Sequence, residues 1–219
     1  MSCPILFLDR NLVVCVKPRG ISSEDELPVL LSRQLAVKKV WCVHRLDIAV
    51  GGVMVYALTA KAAAMLSSLI AERRVEKEYF AVIAGRPTED AGILKDLLFH
   101  DRMKNKSYPV RRMRAGVKEA ELCYTVLEER DGLSLLQVFL LTGRSHQIRV
   151  QFASRGTPLI GDGKYGSMFR SCPLALWSHA LRFTHPFTSE SLSFSASPES
   201  IFPWDTFKTI HREGQHEIS

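Results

Sequence analysis

The sequence has no apolar run long enough to cross a bilayer, which takes about 18 to 20 consecutive residues. The apolar stretch near the N-terminus, residues 5–8, follows no basic leader and stops at Asp9 and Arg10, so it does not have the pattern of a signal peptide. These absences predict a soluble protein that works in the cytoplasm and not at a membrane.

Paired cysteines are missing too. The five cysteines are odd in number and widely scattered, and no two of them form a C-x-x-C motif. A disulfide framework needs cysteines in pairs and a structural zinc site needs them clustered, so neither is expected. We interpret all five as reduced thiols.

The common cofactor and metal motifs are also absent. There is no Walker loop and no G-x-G-x-x-G, so a nucleotide cofactor has no visible binding loop. The seven histidines do not fall at H-E-x-x-H or similar spacing, and residues 143–147 (GRSHQ) lack the second glycine of a serine-hydrolase elbow. We therefore expect no metal and no cofactor, and a serine hydrolase is disfavoured.

The composition is that of an ordinary globular protein, with 219 residues of which 46% are hydrophobic and 24% charged. Short apolar runs bounded by turn residues outnumber helical segments and follow one another along the chain, as in residues 5–16 and 120–141. Ser23 and Glu26 have capping-box spacing and predict the start of a helix. The pattern favours an α+β fold with a mixed, largely antiparallel sheet and helices packed around it, in a single domain over residues 1–219.

Positive charge exceeds negative charge by six, and its distribution is more informative than its size. Residues 102–118, the basic segment, hold seven basic side chains and no acidic one, with Tyr108 among them. One interpretation is a solvated loop. The other is an arm at a strand edge, whose cations follow a phosphate backbone while the aromatic ring offers a stacking face. The cations are Arg102, Lys104, Lys106, Arg111, Arg112, Arg114 and Lys118.

One carboxylate stands out beside a cation. Asp47 follows Arg45 by two residues, at the exit of a predicted strand and just before the flexible pair Gly51 and Gly52. An Arg-x-Asp at a strand end usually forms a surface ion pair, so this local pattern alone does not decide for catalysis.

Seven ordered segments together resemble the RluA-type pseudouridine synthases. Residues 16–20 (VKPRG) are similar to the N-K-P-x-G run of that family, residues 44–47 (HRLD) to its catalytic H-R-L-D motif, and residues 143–150 (GRSHQIRV) to G-R-T-H-Q-I-R-V. The full set of matching segments is 5–20, 44–59, 76–82, 118–127, 143–150, 156–166 and 179–186. The resemblance covers nearly the whole chain.

The resemblance implies an enzyme that isomerises uridine to pseudouridine in structured RNA, either tRNA or rRNA, as a monomer with a central cleft. It implies that Asp47 is the reactive carboxylate, acting as nucleophile or as base. Arg149 would be the cation that keeps Asp47 charged, or else an arginine that faces a phosphate. Tyr79 would stack on the target base and take part in proton transfer, or else be an ordinary half-buried strand tyrosine.

The resemblance also implies a set of RNA-contacting and base-contacting residues. Arg45 would fill the gap left by a flipped uridine, or else contact a phosphate. Lys17 is expected to bind RNA together with the basic segment. Ile148 and Val150 flank Arg149, and we expect them to line the uracil pocket.

The chain departs from the family pattern at residues 50–52, which read Val-Gly-Gly where Thr-Ser-Gly is usual. Ser145 replaces a threonine and Gln151 a common histidine. The accessory N-terminal RNA-binding domain of many relatives is not expected here. The altered loop leaves open an RNA-binding module that has lost its chemistry. A nucleoside or glycoside hydrolase is disfavoured, because no second acidic residue lies near Asp47 in the sequence.

Overall fold

The computed structural model describes residues 2–169 and 171–213. Its strands are β1 (Ile5–Leu8), β2 (Leu12–Lys17), β3 (Trp41–Cys42), β4 (Gly51–Ala57), β5 (Glu76–Ala84), β6 (Ala91–Asp101), β7 (Lys106–Val110), β8 (Val117–Arg130), β9 (Leu133–Leu140), β10 (Leu176–Thr184) and β11 (Ser191–Ser195). Its helices are α1 (Glu26–Gln34), α2 (Ala60–Ala71), α3 (Gln147–Ala153) and α4 (Lys208–Glu213), with short 3-10 turns at Gly163–Tyr165 and Trp204–Thr206.

The chain divides into two compact units. Unit 1 comprises Met1–Lys77 and Trp177–Ala196, and unit 2 comprises Glu78–Leu176 and Ser197–Ser219. The expectation of a single catalytic domain remains a prediction.

Unit 1 is built around strand β4, whose seven residues are all buried. On one side β4 pairs antiparallel with β2, which in turn pairs with β1. On its other side the start of β4 pairs in parallel with β10, and its end pairs antiparallel with β3. Strand β11 pairs antiparallel with β10. The loop that carries Asp47 connects β3 to β4 and ends where β4 begins to pair with β10.

Helix α2 covers the core of unit 1 with one apolar face. The side chain of Thr59 accepts a hydrogen bond from the backbone N–H of Ala62 at 3.1 Å, which satisfies a donor that the first turn leaves open. Ala62, Leu66 and Leu69 lie on the same helical face and are buried. They pack in one cluster with residues of β2 and β4, such as Leu12 and Val55.

Unit 2 contains an antiparallel sheet in the order β5-β9-β8-β6-β7. Strand β7 pairs with β6 alone among the described strands, with Phe99 opposite Tyr108 and Asp101 opposite Lys106. Helix α3 lies against β6 and β7. The basic segment begins in the turn between these two strands and includes β7, so its position at a strand edge agrees with the arm interpretation.

The prediction of an α+β fold with a largely antiparallel sheet is confirmed. Of the strand pairs described above, the pairing of β4 with β10 alone is parallel. The capping-box prediction is wrong, because Asp25 precedes α1 and Ser23 has a different role. None of the helices within the described residues is long and apolar enough to span a membrane.

Candidate functional site

The loop from His44 to Val50 is fixed at its centre by Ser23. The Ser23 hydroxyl donates to the Leu46 carbonyl at 3.0 Å and accepts from the Leu46 N–H at 3.2 Å. Leu46 is buried, whereas Asp47 next to it is partly exposed. The Asp47 carbonyl accepts a hydrogen bond from the Val50 N–H at 2.9 Å, which closes a turn that begins at Asp47. The backbone of Asp47 is thus held while the residue stays partly exposed.

Lys17 stabilises the same loop through its ammonium group. Its ammonium group donates to the carbonyls of Val50 at 2.7 Å, Pro18 at 3.1 Å and Ile48 at 3.2 Å, and lies 3.5 Å from the carbonyl of Asp47. Burial lowers the pKa of Lys17 to about 8, although the nearby charge of Asp47 acts in the opposite direction.

Our prediction that Lys17 contacts RNA is therefore wrong. The side chain has no exposed surface, and its three N–H donors already meet backbone carbonyls. A phosphate cannot reach a buried ammonium group that is satisfied in this way. Lys17 instead stabilises the turn that carries Asp47.

His44 fixes the start of the loop. Its Nε2 accepts a hydrogen bond from the Val55 N–H at 3.1 Å, and its carbonyl accepts one from the Cys42 thiol at 2.9 Å. Burial, together with the charge of Lys77, lowers the pKa of His44 to about 3, so the ring is neutral at physiological pH. A neutral ring that accepts at Nε2 carries its proton on Nδ1.

The ring of Trp177 packs against Gly51 of the unusual Val-Gly-Gly sequence. A side chain at Gly51 would overlap the Trp177 ring, and one at Gly52 would overlap the backbone of Ser178, where β10 runs beside β4. Gly52 also has a φ of +119°, which favours glycine. The Trp177 ring therefore takes the space that a serine at position 51 would need. Its indole N–H donates to the carbonyl of Ala196 at 2.7 Å.

Arg45 is exposed, and one of its guanidinium nitrogens lies 3.6 Å from the carboxylate of Glu24. Exposed pairs of this kind contribute about 0–1 kcal/mol to stability. Its proposed contact with RNA remains a prediction.

In unit 2, Arg149 forms a buried ion pair with Asp162. Arg149 Nε lies 2.7 Å from Asp162 Oδ2, and its Nη2 lies 2.8 Å from Oδ1. The side chains are 9% and 1% exposed, respectively. The guanidinium also lies over the ring of Tyr165, with Cζ 5.2 Å from the ring centroid. The arginine is therefore oriented by a carboxylate and an aromatic face.

Tyr165 connects this ion pair to the basic segment. Its hydroxyl accepts a hydrogen bond from the backbone N–H of Ser107 in β7 at 2.8 Å and lies 2.9 Å from Nδ1 of His146. Burial raises the pKa of Tyr165 to about 12, so the hydroxyl keeps its proton at neutral pH. The ammonium of Lys106 lies over the same ring at 5.2 Å.

Ile148 and Val150 cannot both face one ligand. Positions two apart on an α-helix are separated by about 200°, which places them on opposite faces. Val150 packs in a buried cluster with Leu98, Ala120 and the partly buried Tyr165, as a core residue does. Ile148 is also buried. Of the two, Ile148 is left as the candidate for the uracil pocket, and that role remains a prediction.

Tyr79 lies in the middle of β5, where it pairs with Val138 of β9. The residue is 5% exposed. It is therefore buried, and not half-buried as the alternative interpretation expected. The next residue toward the N-terminus, Glu78, accepts a hydrogen bond from the side chain of Gln137 at 2.6 Å.

The basic segment exposes most of its charge. Six of its seven cations are exposed, and Lys106 is partly buried. Lys106 lies over the Tyr108 ring at 5.7 Å, and Arg114 lies over the Phe99 ring at 5.4 Å. Six of its cations, all except Lys118, were predicted to bind RNA. They are Arg102, Lys104, Lys106, Arg111, Arg112 and Arg114, and their contact with RNA remains a prediction.

Sequence reasoning missed Asp162 and Tyr165. Both lie in segment 156–166, which resembles the family, but no role was assigned to either residue. A signal was present, because a buried arginine requires a carboxylate or an equivalent acceptor, and Asp162 is the acid of that segment. Among the described residues, no group of three or more His, Cys, Asp or Glu side chains could hold a metal ion.

Comparison with known proteins places these residues in a family. The model of the RNA pseudouridylate synthase family matches residues 11–154. The chain is 34% identical to the dual-specificity RNA pseudouridine synthase RluA of Escherichia coli, over 88% of this chain and 91% of that protein. It is 31% identical to RluA of Yersinia pestis, over 89% of this chain and 98% of that protein.

A solved structure supports the same conclusion. Human RNA pseudouridylate synthase domain containing 4 superposes with a TM-score of 0.76 at 26% identity, over 90% of this chain and 88% of that one. The matched family region contains both the loop of Asp47 and helix α3. The chain therefore belongs to the RluA-type RNA pseudouridine synthases, the isomerases that convert uridine in RNA to pseudouridine.

Proposed function

We propose that this enzyme modifies a uridine in tRNA or rRNA, with the carboxylate of Asp47 as its reactive group and without a cofactor. The observation that carries the proposal is the loop of Asp47. Ser23, Lys17 and His44 hold the backbone of that loop, while Asp47 itself is partly exposed. Such preorganisation is what a reacting group needs, because displacement by about 1 Å can cost a hundredfold in rate.

The reaction breaks the bond between the uracil N1 and the ribose C1′, turns the base, and joins C5 to C1′. The proton that C5 loses is matched by the one that N1 gains, so no atom and no electron is added or removed. The carboxylate of Asp47 acts either as nucleophile at the sugar or as base. Both routes fit a proposal without a cofactor.

Tyr79 and Arg149 complete the proposed catalytic set. Tyr79 offers a rigid ring for stacking and a hydroxyl for proton transfer. Arg149 supplies a positive charge in an orientation that Asp162 and Tyr165 fix. Arg45, which is exposed, fills the gap that the flipped uridine leaves in the RNA. Flipping the base costs a few kcal/mol, and the arginine offsets part of that cost.

We propose the basic segment as the RNA-binding surface. Five of its six exposed cations lie just before or just after the edge strand β7, where a phosphate backbone could reach them. Charge of this kind supplies affinity that depends strongly on salt and little on sequence. We propose tRNA or rRNA because structured RNA presents dense phosphates together with unstacked bases in its loops.

The proposal includes a cytoplasmic monomer. No disulfide is formed among the described residues, as is usual in a reducing compartment. Sedimentation of the purified protein with and without RNA tests the monomer, and a dimer as the species that binds RNA would contradict it.

The decisive experiment compares wild type with Asp47→Asn. Total RNA from cells that lack the gene is incubated with each protein, and pseudouridine is mapped at nucleotide resolution. Wild type should restore one or more sites, and Asp47→Asn should restore none while it binds RNA about as well. Asp25→Asn, which removes a charge at the start of α1, is the matched control and should behave as wild type.

The alternatives give different results in the same experiment. RNA binding by wild type without any product would identify a binding module that has lost the chemistry. Release of free uracil would identify a hydrolase. Turnover by Asp47→Asn would contradict the assignment of the reactive group.

A further inference from the structure

The short segment from Asp162 to Tyr165 contacts both functional parts of unit 2. Asp162 pairs with Arg149. Lys164 donates from its ammonium to the carbonyl of Asn105, in the turn of the basic segment, at 2.9 Å. Tyr165 reaches Ser107 in β7 with its hydroxyl. One turn of the chain is therefore joined to the arginine on one side and to the basic segment on the other.

Tyr165 makes both connections with a single side chain. Its ring supports the guanidinium of Arg149 on one side, and the ammonium of Lys106 also lies within 5.2 Å of the ring centroid. Its hydroxyl caps the N–H on the edge of β7, which would otherwise lack a backbone partner on that side. The ring and the hydroxyl can be removed separately by mutation.

A second link runs parallel to the first. The Ser107 hydroxyl donates to the carbonyl of Ser145 at 2.6 Å, two residues before α3 begins. His146 lies 2.9 Å from the Tyr165 hydroxyl and makes edge contact with the ring of His100 in β6. The start of α3, which carries Arg149, is thus tied to β7 at the point where the cations are displayed.

We propose that Tyr165 is a positioning residue that couples the basic segment to Arg149, so that RNA held by the segment and the arginine of α3 keep a fixed geometry. The inference rests on the proposed function of both parts. Without the hydroxyl, β7 loses one of its outer anchors while Arg149 keeps its aromatic support. Without the ring, Arg149 loses that support as well.

The first test compares Tyr165→Phe with Tyr165→Leu, on an RNA that contains a mapped target uridine. Tyr165→Phe should raise KM about tenfold and lower kcat less than about threefold, since the ring remains under Arg149. Tyr165→Leu should lower kcat by about a further tenfold. Tyr124→Phe is the matched control, because it removes a hydroxyl that donates to the carbonyl of Glu89 in the same unit. Its KM and kcat should equal those of wild type.

The second test separates coupling from a loss of stability. The affinity for RNA is measured for Arg111→Ala/Arg112→Ala in the wild-type and in the Tyr165→Phe backgrounds, at temperatures where all proteins are folded. Coupling predicts that the double replacement weakens binding at least about threefold less in the Tyr165→Phe background. Additive effects would overturn the proposal, as would an unchanged KM for Tyr165→Phe.

The affinity measurements also distinguish this proposal from the proposed function. If wild type forms no pseudouridine, the function fails, yet the coupling between Tyr165 and the two arginines is still measured by binding. If Tyr165→Phe does not fold, Ser107→Pro replaces it, because proline removes the backbone N–H that the Tyr165 hydroxyl accepts and an edge strand tolerates proline. Ser107→Pro should raise KM severalfold relative to Ser107→Ala, which keeps that N–H, and an equal KM for the two variants would overturn the coupling.

Discussion

Among the described residues, unit 1 buries one Lys or Arg side chain, Lys17, and unit 2 buries one, Arg149, and the two cations are neutralised differently. Lys17 in unit 1 is surrounded by backbone carbonyls of the loop that carries Asp47. Arg149 in unit 2 pairs with the carboxylate of Asp162 in a bidentate arrangement. Carbonyls offer partial charges, whereas a carboxylate offers a full one. The lysine therefore serves to shape a loop, and the arginine remains a fully charged and oriented group.

The chemistry of the two side chains fits this division. A lysine has three donors that can satisfy several carbonyls around one point, and its pKa falls readily on burial. A guanidinium is planar, stays protonated, and matches a carboxylate in two parallel hydrogen bonds. Exchanging the two residue types would leave donors or acceptors unpaired in both places.

The largest effect on stability is expected for Asp162→Asn. The change removes the carboxylate that pairs with buried Arg149, and breaking a buried ion pair typically costs about 3–5 kcal/mol of unfolding free energy. Chemical denaturation measures the loss. Asp90→Asn removes one partner of the exposed ion pair with Arg86 and should cost less than about 1 kcal/mol. Equal losses at the two positions would remove the distinction between buried and surface pairs.

Lys17→Met should have the next largest effect. Methionine fills a similar volume, but three backbone carbonyls lose their hydrogen-bond donor, and each loss costs about 1–3 kcal/mol. Part of this cost is offset, because the variant no longer buries a charged group. We expect a net loss of about 2 kcal/mol, with kcat lowered and the affinity for RNA retained. Lys39→Met, at an exposed lysine over the Trp41 ring, is the control. A loss of RNA affinity without a change in kcat would instead return Lys17 to an RNA-binding role.

The two cations should also differ in pH dependence. Lys17 has a folded-state pKa of about 8, below its ordinary value of 10.5. Between these values the unfolded chain holds the proton and the folded chain does not, so the stability of wild type relative to Lys17→Met should rise from pH 8 to 10.5. The slope is at most about 1.4 kcal/mol per pH unit. An arginine guanidinium, by contrast, stays protonated over this range, so no such slope is expected from unit 2's buried cation. A flat difference between wild type and Lys17→Met would contradict the lowered pKa.

The smallest effect on stability is expected for Arg111→Ala/Arg112→Ala, since both side chains are exposed. The affinity for RNA should fall, and the slope of log affinity against log salt should become shallower by about 1.4–1.8 if both contact phosphate. Arg73→Ala/Arg74→Ala, a matching exposed pair in unit 1, should leave the slope unchanged. The same slope in both variants would identify the basic segment as a solvated loop.

The sequence predicted most of the sheet but not all of its strands. The apolar runs in residues 5–16 and 120–141 correspond to strands β1, β2, β8 and β9, because burial of one face imposes the pattern directly. Strands β6 and β7 were not predicted as a pair. Their turn is rich in cations, and Pro109 in β7 argues locally against a strand, although an edge strand tolerates it.

For the site, the sequence predicted the candidate residues but not their partners. The motifs carried the assignment of Asp47, Tyr79 and Arg149 as candidates, but their partners could not be read from the motifs. Lysine is seldom fully buried, so a surface role was the natural expectation for Lys17. Its burial depends on carbonyls of residues 48 and 50, about thirty positions away.

By itself the sequence determined the family, the α+β fold and the residues that can react, because these are written in ordered motifs and in apolar alternation. The tertiary structure alone decided which cation is buried and what neutralises it. It brought Trp177 beside Gly51, and it joined Ser107 to Tyr165 across 58 positions. The physical reason is that the free energy of a charge depends on what surrounds it, and those surroundings are assembled from segments that are distant in the chain.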